Sequence, residues 1–308
     1  MSRLDRFLVS ESMVQHFPHV SGLILEKHLS DHRPILLREM ALDYGPIPFR
    51  VAHSWLGNDD FDKIVVDSWA DDDGGGGNAM VRLKNKLKNL KTCIRSWNKE
   101  KRRTNKVELK ENRLAIRGVL VNGDCVDEPK AVKKEFFYHF ASRFSRPPDF
   151  RLPLNLDFPT KVSPDQYAMF EADVTSEEIK RAVWDCGADK SPGPDGFTFE
   201  FIRKYWSIVE GSIVDAVKEF FWVGEFPRGC NSSFIALIPK VTDARFVKKF
   251  RPTSLIGCRY KIIAKLLGNR LRMVIGDLVS QQQSAFIAGR QILDGPFILN
   301  EKKEGASV

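Results

Sequence analysis

The stretch from Phe234 to Asp294 constrains the chain more than any other. Its apolar run Phe234-Ile-Ala-Leu-Ile238 ends in Pro239-Lys240 and has the length and residue types of a strand. After a basic loop, Phe250-Arg251-Pro252 opens a second short apolar segment, Ser254-Leu-Ile256. Two such segments joined by a loop predict a hairpin that holds Lys240 near one end and Arg251 near the other. A compact ammonium and a planar guanidinium fork offered from one hairpin suit a polyphosphate. The same spacing also suits an ordinary basic surface hairpin.

Charge is unevenly placed. The 308 residues carry a formal net charge of +8, yet residues 82–117 hold fourteen Lys or Arg against three Glu, so the remainder of the chain is slightly acidic. That concentration favours a polyanionic partner over a uniformly solubilising surface. Met80, Leu83, Leu87, Leu90, Ile94 and Trp97 fall at alternating three- and four-residue steps, one apolar stripe of a helix whose other faces carry Lys84, Lys86, Lys88, Lys91 and Arg95. Such a helix either tracks a nucleic-acid backbone or is a solvated amphipathic linker. No apolar run reaches the roughly 18 residues of a membrane span, and Met1 is not followed by a signal-like apolar core. The five cysteines are widely spaced, which fits reduced thiols in the nucleus or cytoplasm and argues against a zinc site or a disulfide frame.

Other elements follow from pattern. A short strand is expected over residues 2–10, a turn around Pro18 and Gly22, and a strand at Ile35-Leu36-Leu37. Asp31-His32, at the entrance of that strand, is a candidate acid/base pair for phosphodiester cleavage, with a solvated turn as the plainer reading. A short helix is expected between Pro48 and Trp69. Asn122-Gly123 marks a tight hairpin. Val132, Phe136, Phe140 and Phe144 form a helical stripe that Pro147-Pro148 stops, with a loop to about Phe170. Thr175 to Glu178 has the form of a capping box, worth about 1 kcal/mol, with Ile179 and Val183 facing inward. Lys190 to Phe197 (KSPGPDGF) must be an irregular tight loop. Phe199 to Phe220 continues as one helical stripe, bent at Gly211 and closed by Gly224 and Pro227. A last helix, Tyr260 to Val279, packs inward and leaves Lys261, Lys265, Arg270 and Arg272 either to touch nucleic acid or, on the plainer reading, solvated.

Five blocks, KSPGPDGFTFEFI, LIPK, FRPTSL, YKIIAKLLGNRL and QQQSAFIAGRQILDG, together resemble the fingers region of the LINE-type (non-LTR) retrotransposon reverse transcriptase of the plant kind. SRLDRFLVS followed by SDHRP resembles the last strands of the endonuclease/exonuclease/phosphatase domain that precedes the polymerase in such elements. The resemblance implies an α+β, mostly helical fold: a partial right-hand polymerase, fingers without palm, preceded by a strand remnant. Its expected parts are 1–40 (endonuclease remnant), 41–79 (acidic and Gly-rich linker), 80–170 (basic helical connector with hairpin) and 171–308 (fingers). Ala70-Asp71-Asp72 echoes the polymerase's Ala-Asp-Asp hairpin, but it lacks flanking apolar strands and runs into Gly74–Gly77, so it belongs to the linker.

By resemblance, Lys240 and Arg251 contact the incoming dNTP. Thr253 departs from the apolar Ile usual there. Lys190, Gly193, Asp195, Gln283, Ser284, Phe286 and Arg290 lie along the nucleic-acid path, with RNA template and DNA primer as partners. His32, Asp5 and Asp31 correspond to endonuclease positions. A helical stretch usual before Arg113 is shortened here. The intact family uses magnesium held by palm carboxylates. This sequence ends at ILNEKKEGASV, short of those residues, so no metal site and no tight magnesium binding are expected, and neither nicking nor primer extension. A residual nucleic-acid-binding fragment and a genomic relic without function are the alternatives. The oligomeric state stays open.

Overall fold

The computed structural model describes residues 7–17, 20–24, 35–39, 45, 47–70, 77–104, 116, 118–121, 123–145, 160–241, 244–280, 283, 287, 289 and 290. The chain divides into two compact units. The smaller takes Met1–Ile47, Lys110–Asp149 and Leu237–Arg251; the larger takes Pro48–Leu109, Phe150–Ala236 and Pro252–Val308. In order, the described elements are α1 (Glu11–His16), β1 (Val20–Ile24), β2 (Ile35–Glu39), α2 (Asp59–Ala70), α3 (Ala79–Thr104), β3 (Val119–Val121), β4 (Asp124–Val126), α4 (Pro129–Phe144), α5 (Pro164–Glu171), α6 (Ser176–Asp185), α7 (Phe199–Lys204), α8 (Trp206–Val223), β5 (Ser233–Pro239), β6 (Phe250–Ile256) and α9 (Cys258–Leu278). Helix dominates, and every described sheet has two strands. This is an α+β chain, mostly helical.

The larger unit is a helical assembly around α3 and α8. The stripe from Met80 to Ile94 is buried, with Trp97 half-buried beside it, and α3 packs on both α2 and α8. Aromatic rings fill the junction. Phe61 of α2 lies 5.4 Å from Trp97, 6.5 Å from Phe201 and 6.3 Å from Tyr205, centroid to centroid. Fully burying one such side chain contributes about 1.5–3 kcal/mol. Lys204 donates to Asp62 at 2.8 Å and the Tyr205 hydroxyl donates to the same carboxylate, which holds Asp62 below the usual carboxylate range. Burial and the Asp62 carboxylate together push the Tyr205 phenol up.

The structure departs from several local expectations. Residues 7–10 form no strand; the Ser10 hydroxyl instead accepts from the Met13 amide and starts α1. Gly22 is no turn but sits in β1 opposite Leu37. The segment expected to be loop up to Phe170 contains α5, opened by a true capping box: the Ser163 hydroxyl accepts from the Gln166 amide, and the Gln166 side chain accepts from the Ser163 amide. At α6 only half of the expected box forms. The Thr175 hydroxyl caps Glu178, but the Glu178 carboxylate serves Arg270 instead. The long stripe from Phe199 breaks at Tyr205 and not at Gly211. The predicted Gly224 stop holds: it is left-handed, φ 79°, and donates back to the Phe220 carbonyl.

Because a Cβ on Gly211 would meet nothing within 4 Å, Gly211→Ala in mid-α8 is expected to stabilise the chain by about 0.5–1 kcal/mol, read as a raised thermal midpoint. A lowered midpoint would mean the helix needs a glycine there.

The smaller unit has its own core. The predicted Asn-Gly hairpin is present, with Val121 opposite Asp124 and Gly123 at φ 101°. Val119, Val132, Phe136 and Phe250 bury together, with Leu237, Val247 and Phe140 packed partly against them. Phe144, the expected end of the α4 stripe, is exposed instead.

Candidate functional site

The predicted hairpin forms. β5 and β6 pair, and past the last residue of β5 the Lys240 amide donates to the Lys249 carbonyl at 2.8 Å. This bond registers Lys240 against the chain just before Arg251. Alternation along β6 then separates roles. Phe250 turns inward, its ring edge-on to Phe136 at 5.1 Å, and Arg251 faces solvent. The connecting loop is tied down, since the Leu120 amide donates to the Arg245 carbonyl at 2.6 Å and Val247 packs on the small core. Lys240 is exposed, with its ammonium donating to the Lys248 carbonyl at 3.2 Å. Two cations thus stand on an anchored scaffold, with Arg245, Lys248 and Lys249 in the same loop. The arrangement can grip an anion.

The Lys190–Phe197 loop is tight, as expected. Gly193 lies so close to the end of β6 that an added Cβ would sit 2.3 Å from the Ile256 carbonyl carbon and 2.5 Å from the Gly257 nitrogen. That approach delivers Asp195 to the start of α9, where its Oδ2 accepts from the Cys258 amide at 2.5 Å. A carboxylate on the first N–H of a helix is favoured by the unpaired donors and the dipole there. Burial, reinforced by the Asp195 carboxylate, pushes the Cys258 thiol well above its ordinary range, which leaves it inert. Lys190 is exposed. Lys91 of α3 donates to the Pro194 carbonyl at 2.9 Å, and Lys261 donates to Ser191 at 2.9 Å.

Arg290 is turned onto the end of α9. Its two terminal nitrogens donate to the carbonyls of Gly276, Val279, Ser280 and Gln283 at 2.6–3.2 Å, a C-terminal cap made by a guanidinium. Gln283 is exposed. Ser284 and Phe286, like Asp5, Asp31 and His32, lie outside the described residues. Of the α3 cations, Lys86 lies over Trp69, while Lys91 and Arg95 both lie over Phe49 at 5.5–5.6 Å; Lys88 and Lys99 are exposed. Burial, with Arg95 nearby, lowers the Lys91 pKa.

Arg270, expected in solvent, is instead buried and forms a fork with Glu178, Nε to Oε1 at 2.8 Å and Nη2 to Oε2 at 2.9 Å. Its partner is distant in sequence, and no local pattern marks it. Among the described residues no three of His, Cys, Asp and Glu converge as a metal site.

No protein-family model matches the sequence. The chain is nevertheless similar to parts of proteins from mobile genetic elements. Over 183 residues, 58% of this chain, it is 31% identical to the transposon TX1 uncharacterized 149 kDa protein of Xenopus laevis. Over 125 residues (40%) it is 26% identical to the retrovirus-related Pol polyprotein from type-1 retrotransposable element R1 of Bradysia coprophila. Over 120 residues (35%) it is 32% identical to the RNA-directed DNA polymerase from mobile element jockey of Drosophila melanogaster. The matched part spans 14%, 12% and 12% of those relatives' own lengths. Among the described residues no helix is long and apolar enough to cross a membrane.

Proposed function

We propose that this chain is part of the fingers of an RNA-directed DNA polymerase from a LINE-type element of the plant kind, and that the β5–β6 hairpin holds the phosphates of the incoming dNTP. Arg251 offers the fork and Lys240 the point charge. RNA template and DNA primer are the polynucleotide partners in this reading, with Lys190 and Gln283 exposed toward solvent where a strand could pass. Gly193, Asp195 and Arg290 serve it indirectly by fixing the ends of α9. The first forty residues are read as the end of an endonuclease-type domain. The observation that carries the proposal is the Lys240–Lys249 backbone bond, which sets both cations on one anchored hairpin. In this reading the chain's own residues bind and orient the nucleotide.

The test is equilibrium binding of a fluorescent dNTP to the 308-residue chain. Lys240→Ala and Arg251→Ala are each expected to weaken it about tenfold, about 1.4 kcal/mol. Arg251→Lys should recover only part of that, because the fork is lost with the guanidinium. Unchanged affinity in the double alanine variant would remove the hairpin from this role.

A further inference from the structure

We infer that the outer face of α4 is a base-stacking platform for single-stranded nucleic acid. This rests on the reading that the chain handles a polynucleotide, and it adds a contact surface that reading does not name. Inside, α4 buries Val132 and Phe136 and half-buries Phe140, which suffices to dock it. Its outer face is not polar in the ordinary way. Phe137 is 67% exposed, Tyr138 57% and Phe144 69%.

Lys133 and Lys134 stand one turn before Phe137 and Tyr138. Lys130, Lys133, Lys134 and Arg143 are exposed on the same helix, with Glu135 as its one acid and half-buried. The Lys134 ammonium lies 5.7 Å from the Tyr138 ring centre, and the Phe137 and Tyr138 rings meet edge-on at 5.9 Å. The neighbouring loop repeats the pairing: the half-exposed Phe246 carries Lys248 at 5.9 Å from its ring centre, and the turn Val247–Lys249 packs against α4.

Rings offer π-faces that stack on any base, and cations one turn away meet the phosphates between bases. A second copy of the chain would bring like charges face to face, which opposes self-association through this surface. Phe137 also lacks a hydrogen-bonding group, so the platform is expected to tolerate any sequence.

The test uses the full chain and fluorescence anisotropy with two labelled oligomers of equal length, oligo(U) and an abasic sugar-phosphate chain. The parent should prefer the base-bearing oligomer by about tenfold. The variant Phe137→Leu/Tyr138→Leu should lose that preference while keeping its affinity for the abasic chain and its thermal midpoint. The variant Phe137→Trp/Tyr138→Trp, which retains a π-face at both positions, should keep the preference. No preference in the parent, or a preference that survives the leucine pair, overturns the platform alone. Failure of the parent to bind even the abasic oligomer overturns the platform together with the polynucleotide reading beneath it. A leucine pair that changes self-association and leaves oligomer binding untouched would show that α4 serves a protein contact instead.

Discussion

Alanine at position 193 is expected to cost at least about 3 kcal/mol, the upper end of what overpacking does. The neighbours of the added methyl are all backbone: the Ile256 carbonyl carbon and oxygen at 2.3 and 2.5 Å and the Gly257 nitrogen at 2.5 Å. No rotamer change can relieve that. Gly257 is constrained from the other side, since its own Cβ would lie 2.7 Å from Asp195 Oδ2. Loop and strand–helix junction are therefore pressed backbone to backbone, and separating them withdraws the Asp195 cap from Cys258. Urea unfolding should show a much lower midpoint with an unchanged slope. A midpoint within the range of the Gly211→Ala control would mean the loop does not sit this close in solution.

Removing the guanidinium of Arg270 should be comparably damaging, about 3–5 kcal/mol for Arg270→Ala. The loss is more than one ion pair. Arg270 also donates to the Phe170 carbonyl at 2.8 Å and, at 3.5 Å, to that of Asp173, so alanine orphans the C-terminal end of α5 and leaves the Glu178 carboxylate without its partner. Arg270→Lys keeps the charge but cannot make the fork, and should fall between the two.

The pH dependence has a definite sign. Hydrogen bonding from Arg270 is the main cause that holds Glu178 below its ordinary 4.5 in the folded chain. A depressed carboxylate contributes stability that is present above its unfolded pKa and lost as pH falls through the folded one. The parent should therefore weaken on acidification below about 4.5, and Arg270→Ala should lose that component of the slope. Parallel acid limbs in the two proteins would show the pair contributes nothing to acid sensitivity.

Elements with a strong local period were legible in the sequence. The α3 stripe and the Asn122-Gly123 turn need only neighbours along the chain, and so does the pairing of the two short apolar runs around Lys240 and Arg251. Elements whose marks have two meanings were misread. The stretch after Pro147-Pro148 looked like loop as far as Phe170, but proline is at home in the first turn of a helix, and Ser163 with Gln166 completes the start of α5 at Pro164. Gly22 looked like a turn but stands in a paired strand. Glu178 was half of a local motif until Arg270, far along the chain, took its carboxylate. The candidate site divides in the same way. Lys240 and Arg251 were placed by their own hairpin, whereas the uses of Asp195, Lys91 and Arg290 depend on which distant carbonyl or amide lies opposite.

Three arginines share one fate. Arg203 donates to the Trp184 and Cys186 carbonyls at the end of α6, Arg270 to the last turn of α5, and Arg290 to the last turn of α9. Each stops a helix from unravelling, so its formal charge is already engaged with local carbonyl dipoles before any polymer arrives. The isoelectric point of about 9.2 thus counts guanidinium groups that act as fasteners along with those left to attract a strand. Two relatives of equal titration behaviour could differ widely in grip, according to how many of their arginines are employed indoors.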